Sequence, residues 1–220
     1  MPETAHERTF LFADLSGFTA LTEAHGDAEA ARLAGRFFRA IRDLLAEHGA
    51  IEVKTIGDAM MLCCSSAPDA VELGLRIVEE FWAHPEFPSV RVGINTGPAV
   101  ESDGDWFGTA VNVAARISAA ASGGEVLVSE ATVDSAGELR GVALQSEGEQ
   151  RFRNVSEPVL IYRAQRRGEQ APGLPIDPVC RMAVDPERET GRLSYAGREY
   201  HFCSLRCISA FAGDPERYLS

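Results

Sequence analysis

Residues 8–14, Arg-Thr-Phe-Leu-Phe-Ala-Asp, make a short apolar run of strand length. Over residues 27–47 the apolar positions Ala31, Leu33, Ala34, Phe37, Phe38, Ile41, Leu44 and Leu45 recur at helical spacing. Two further apolar runs, 50–54 and 59–64, flank Ile56-Gly57-Asp58 and predict a hairpin. A helix near 68–82 and a strand near 90–96 follow. The order is βαββαβ, the split βαβ pattern of an α+β, ferredoxin-like core. Beyond it the chain predicts a helix over 107–121, a strand over 125–129 and a closing hairpin or strand pair over 151–164.

This pattern places two acids together. In the split βαβ arrangement the third strand lies between the first and second and runs antiparallel to both. Asp14 ends the first strand and Asp58 precedes the third, so residues 44 positions apart become neighbours. Two facing carboxylates repel unless a cation lies between them, and hard oxygen ligands suit Mg²⁺ or Mn²⁺. Beside Asp14, the segment Leu15-Ser16-Gly17-Phe18-Thr19 leads toward a helix start, where small residues let backbone N–H groups approach a triphosphate.

The pattern breaks at Arg166-Arg-Gly-Glu-Gln-Ala-Pro-Gly-Leu-Pro, which has linker composition. The chain thus divides into a domain at 1–165, a linker at 166–175 and a small module at 176–220. Charge divides in the same way. The net charge is −12, but from residue 166 onward 8 basic residues balance 8 acidic ones, so the whole excess lies in the first unit. An acidic surface repels phosphate backbones and argues against nucleic-acid binding. No run approaches the roughly 18–20 apolar residues of a membrane span, and the first residues lack an export signal; a cytoplasmic location is expected. Three of the five cysteines, Cys180, Cys203 and Cys207, cluster in the module, which in that compartment suggests metal or redox chemistry.

Phe12-Ala13-Asp14-Leu15-Ser16-Gly17-Phe18-Thr19, Lys54-Thr55-Ile56-Gly57-Asp58 and Gly108-Thr109-Ala110-Val111-Asn112-Val113-Ala114-Ala115-Arg116 resemble, in order and spacing, three motifs of the class III adenylate and guanylate cyclase catalytic domain. The resemblance covers roughly 8–164. It implies attack of the ribose 3′-oxygen of ATP on the α-phosphate. Asp14 and Asp58 would hold two metal ions, with the Leu15 carbonyl as a further ligand, and Gly17, Phe18 and Thr19 would line the triphosphate. Asn112 and Arg116, four apart on one helix face, would orient the ribose and stabilise the transferring phosphate. Lys54 and Asp105 would select adenine, since Lys donates to N1 and Asp accepts from the N6 amine, whereas guanylate enzymes use a Glu and a small residue. Arg153 falls where the family often has a triphosphate-binding Lys. The family shares each site between two protomers, and this chain fills both halves, which implies a homodimer. Guanylate cyclase activity, or a catalytically silent nucleotide or metal sensor, are the alternatives.

The tail, with Asp177-Pro-Val-Cys180, Tyr200-His201-Phe202-Cys203 and Cys207, resembles the YHS domain. Cys203 and Cys207 have the spacing of two ligands on one helical turn, Cys180 closes the site from a hairpin, and His201 is a candidate fourth ligand. Three thiolates suit zinc, iron or copper(I). The competing view makes them reduced core cysteines among Tyr200, Phe202 and Phe211. His6, His25, His48 and His84 show no ligand spacing. Regulation of the first unit by metal or redox state through the tail is the expectation.

Overall fold

The computed structural model describes residues 5–82, 84, 87–168 and 174–219. Strand β1 (His6–Leu15) leads through a tight turn into helix α1 (Phe18–His25), which is separated by Gly26 from the long helix α2 (Asp27–Leu45). The hairpin β2 (Ala50–Ile56) and β3 (Ala59–Cys64), helix α3 (Ala67–Trp82) and strand β4 (Val90–Ser102) complete the βαββαβ core. The strand order β2-β3-β1-β4 is that of the ferredoxin-like pattern, with β3 antiparallel to both neighbours.

The sheet then grows at the β4 edge. A short β5 (Asp105–Phe107) folds back on β4, helix α4 (Thr109–Ala120) crosses the sheet, and β6 (Val126–Ser129) adds parallel to β4. Helix α5 (Glu130–Ala136), β7 (Val142–Gln150) and β8 (Val159–Arg166) finish a mixed sheet of eight strands. The closing pair therefore occupies 142–166, not 151–164, and 151–158 is its connection. Strand β7, Val-Ala-Leu-Gln-Ser-Glu-Gly-Glu-Gln, is a half-exposed edge strand with few apolar positions to reveal it. Arg166, expected to open the linker, ends β8; of the linker itself, 169–173 lie outside the described residues.

Burial follows from strand alternation. Leu11, Ala13 and Leu15 of β1 face α1, α2 and α3 in the main core, which takes Ala30, Leu33, Ala34, Phe37 and Ile41 from α2. Phe10 and Phe12 point to the other face, against Trp106, Ala110 and Ala114 beneath α4. Burying each of the larger side chains contributes about 1.5–3 kcal/mol. Helix α4 lies so close that a Cβ at Gly93 would fall 2.0 Å from the Ser118 nitrogen, so β4 requires glycine there. Among the described residues no helix is long and apolar enough to cross a membrane.

The tail is a hairpin of β9 (Gly191–Tyr195) and β10 (Arg198–Phe202) followed by helix α6 (Leu205–Gly213), packed around Phe211 with Tyr195, Tyr200, Phe202 and Tyr218. It rests on the first unit. The Ala183 N–H donates to the Phe87 carbonyl at 3.1 Å, and Val179, Cys180 and Met182 join the main core.

Arg166 ties the end of β8 to α3, donating to Glu72 at 2.7 Å and to Glu79 at 2.7 Å. The Arg166 guanidinium holds Glu72 below its ordinary pKa, so this contribution is present at neutral pH and fades as acid protonates the carboxylate. Arg166→Ala should cost about 1–3 kcal/mol at pH 7 in urea unfolding, and the deficit should shrink toward pH 3. An equal deficit at both pH values would show that the residue acts through packing alone.

Candidate functional site

The antiparallel register sets Asp14 of β1 opposite Ala59 of β3, and Asp58 is the last residue of the β2–β3 turn before it. The two carboxyl groups are close enough to repel each other electrostatically. Burial, then the charge of Asp14, pushes the Asp58 carboxyl up to about 6. On the opposite side of β1, Asp14 faces Arg91 of β4. The Arg91 guanidinium donates to one Asp14 oxygen at 2.8 Å through Nε, and to the Ala119 carbonyl of α4 at 3.2 Å. Sequence reasoning missed Arg91. The signal was a single basic residue between Val90 and Val92 of an apolar strand, meaningful only once β4 was paired with β1. One guanidinium on one oxygen leaves the pair with excess negative charge, and its free donors are hard oxygens. That set fits Mg²⁺ or Mn²⁺.

The segment after Asp14 turns sharply. The Ser16 N–H donates to the Ser89 carbonyl at 2.7 Å, and Gly17, at φ 79°, caps α1 in the left-handed region. Phe18 and Thr19 open α1, so first-turn N–H groups without helical partners lie just beyond Asp14. Leu15 is buried and only its backbone is available to a ligand.

Lys54 and Asp105, 51 residues apart, form a direct ion pair. The second Asp105 oxygen accepts from the Trp106 N–H at 2.8 Å, and the bonded Lys54 holds this carboxyl below the usual range. Lys54 lines a cavity of ≈ 290 Å³ together with Phe12, Ile56, Met61, Trp106, Phe107 and Asn112 among others. Three aromatic residues line it, Lys54 offers a donor there, and Asp105 stands beside it through their ion pair. Asn112 and Arg116 are both exposed on α4, one turn apart. Arg153 is exposed on the β7–β8 connection, which Phe152 anchors against Val113 and Ile117 of α4. Neither Asp14 nor Asp58 lines the cavity, but its Phe12, Ile56 and Met61 stand two or three residues from them on β1, β2 and β3.

In the tail the three cysteines converge. Cys180 and Cys203 sulfurs are 3.4 Å apart, and Cys203 and Cys207 sulfurs 3.9 Å. Cys203 precedes the Ser204 cap of α6, so the pair spans a strand end and a helix start instead of one helical turn. His201 does not join them: its Nδ1 meets Glu189 at 2.5 Å. His25, at the end of α1, does, with Nε2 at 3.6 Å from the Cys203 sulfur and 3.8 Å from that of Cys207. Its ligand spacing was invisible in sequence because the partners lie about 180 residues away. Cys180 and Cys203 thiols directed at the Cys207 sulfur hold the Cys207 thiol far below its ordinary range.

Residues 1–162 match the family model of the adenylate and guanylate cyclase catalytic domain, and 176–220 match the YHS domain. A pH-sensitive adenylate cyclase of Mycobacterium tuberculosis is 38% identical over 165 residues, covering 74% of this chain and 41% of that protein. An adenylate cyclase of Streptomyces griseus is 34% identical over 177 residues, covering 80% and 44%. The chain thus spans less than half the length of these relatives. Among solved structures, an adenylate/guanylate cyclase/hydrolase from Silicibacter pomeroyi superposes with a TM-score of 0.65 at 28% identity, covering 72% of this chain and 96% of that one. The guanylyl cyclase Cya2 shares the fold, with a TM-score of 0.68 at 23% identity and coverage of 78% and 98%.

The raised Asp58 pKa has a stability consequence. The folded state holds this proton up to pH of about 6 while the unfolded chain loses it near 3.9, so the ionised carboxylate weakens the metal-free fold as pH rises between those values. Discounted for solvent access, the effect is about 1 kcal/mol. In the presence of a chelator, Asp58→Asn should raise Tm at pH 7.5 by roughly 2–4 °C and leave it unchanged near pH 4. A lowered Tm at pH 7.5 would show that the two carboxylates do not strain each other.

Proposed function

The chain belongs to the adenylate and guanylate cyclase family, and we propose that it converts ATP to 3′,5′-cyclic AMP and pyrophosphate in a cytoplasmic homodimer whose two sites are each built by both protomers. The observation that carries this reading is the Lys54–Asp105 pair at the edge of the aromatic cavity. Adenine presents an acceptor at N1 beside a donor at N6, which a lysine and a carboxylate match; guanine presents the reverse. The dimer is supported by Ile56 and Phe107, which border the cavity yet stay 52% and 55% exposed, apolar surface that a second protomer would cover.

Asp14 and Asp58, with the Leu15 carbonyl, would hold the two Mg²⁺ or Mn²⁺ ions, which when bound neutralise the triphosphate and make the 3′-hydroxyl a better nucleophile. N–H groups of Gly17, Phe18 and Thr19 receive phosphate oxygens at the start of α1. Asn112, from the partner's cavity side, orients the ribose by hydrogen bonding. Arg116 places a permanent positive charge beside the α-phosphate as the new bond to O3′ forms and the bond to pyrophosphate breaks. Arg153 adds charge to the departing phosphates. The order of domains is a catalytic domain running to the end of β8 at Arg166, a linker to 175 and a YHS domain at 176–220, the last responding to metal or redox state.

Purified full chain incubated with Mn²⁺ and either ATP or GTP should yield cyclic AMP and little cyclic GMP. Lys54→Ala and Asp105→Ala should each lower kcat/KM for ATP by about 10–100-fold, the range expected when a buried polar partner is left unpaired. Cyclic GMP as the main product would overturn the base assignment. Absence of both products would overturn the enzymatic reading.

A further inference from the structure

We propose that the tail cysteines and His25 of the catalytic domain bind a single zinc-class ion that clamps the tail onto helix α1 and so onto the Gly17 loop. The ligand atoms of His25, Cys180, Cys203 and Cys207 all lie within 4.8 Å of one another. A tetrahedral ion with Zn–S bonds of about 2.3 Å sets sulfur–sulfur edges of about 3.8 Å and sulfur–nitrogen edges of about 3.6 Å. Four of the six edges are 3.4 and 3.9 Å for the former and 3.6 and 3.8 Å for the latter, and the other two, from Cys180 to Cys207 and to His25, lie within 4.8 Å. The sulfurs are too far apart for a disulfide, and all five cysteines are free. Three thiolates and an imidazole form a closed four-ligand set, the kind that holds a structural zinc ion with no open position for catalysis.

The protein orders these ligands from behind. Asp177 is fully buried, and its carboxylate accepts the Val179 N–H at 2.9 Å on one oxygen and the Cys203 N–H at 3.0 Å on the other. One side chain thereby fixes the Cys180 turn against the Cys203 strand end. The Ser204 hydroxyl caps α6 and accepts from the Cys207 N–H at 3.2 Å. Outer hydrogen bonds of this sort hold ligands in place before an ion arrives.

His25 makes this site more than a stabiliser of the tail. Helix α1 begins at Gly17, beside the proposed phosphate cradle, and ends at His25. The tail grips both ends. Arg181, the residue after Cys180, lies over Gly17 so closely that a Cβ there would come within 2.6 Å of the Arg181 Cγ. Between them, Arg206 donates to the Glu23 carbonyl at 3.4 Å and Arg217 meets the Glu23 carboxylate at 3.5 Å. Both of these contacts are exposed and weak, so at the His25 end of α1 the ion supplies most of the hold, while Val179, Cys180 and Met182 anchor the tail in the main core. Loss of the ion frees the end of α1 and, through Cys180 and Arg181, relaxes the cover over Gly17.

The test uses the full chain, reduced and stripped of metal, and does not depend on turnover. Titration with Zn²⁺, and with Co²⁺ as an absorbing substitute, should show one ion per chain with thiolate-to-cobalt charge-transfer bands. His25→Gln, at a half-exposed helix end where folding is not at stake, should keep the tail folded by circular dichroism yet weaken Zn²⁺ binding by more than about tenfold and alter the cobalt spectrum. Hydrogen exchange of residues 15–25 should slow on Zn²⁺ addition in the native chain and not in His25→Gln. Failure to bind either ion overturns the proposal. Unchanged affinity and spectrum in His25→Gln also overturn it, by showing that the tail builds its site alone, and so does zinc binding without any change in exchange over 15–25.

Discussion

Two carboxylates brought into contact with less positive charge than they need are the constraint around which the catalytic half is arranged. Strand register does this. Antiparallel pairing of β1 with β3 puts Asp14 beside the turn that holds Asp58, and the same strand pairs on its other edge with β4, which offers Arg91 to one Asp14 oxygen. Because side chains alternate along β1, Phe12 and Asp14 share the face covered by α4, while Leu11, Ala13 and Leu15 anchor the strand in the main core. A slip of one residue would bury Asp14 among the core apolar groups and expose Leu15. The cost of that exchange is what keeps the acids in register.

The aromatic cavity adjoins the acids on the same sheet. Lys54 sits on β2 and Asp105 on β5, and their ion pair closes one edge of the cavity under α4. Gly93 lets α4 approach β4 closely enough to place Asn112 on the same cavity. The acids and the cavity are thus positioned by the same β1–β3–β2 pairing, with β5 and α4 closing the cavity's far side.

Much of this was legible in the sequence. The βαββαβ core was readable because α2 and α3 carry strong apolar stripes and β1, β3 and β4 are apolar runs, so topology alone brought Asp14 to Asp58. What escaped were elements with little apolar signal: the edge strand β7, the three-residue β5 and the seven-residue α5, which starts at the Ser129 cap. Helix α1 shows in the sequence only as a helical region after the Gly17 turn. Its end at Gly26 creates the position of His25, and a histidine that meets Cys203 and Cys207 across most of the chain has no local spacing to betray it. His201 looked better by proximity, yet alternation in β10 turns it toward Glu189. Arg91 needed the β1–β4 pairing before it meant anything.

The central claim is that one protomer's acids react with substrate held by the other's cavity, and restoration of activity between two inactive chains tests it most directly. Asp58→Ala and Arg116→Ala would each be purified alone and then co-expressed with distinct tags. Each variant alone should make no cyclic AMP. The co-expressed pair should recover roughly a quarter of native activity, because half of the dimers are mixed and each mixed dimer has one intact site. No recovery in an isolated mixed dimer would contradict the shared site and place Asp58 and Arg116 around one substrate within a single chain.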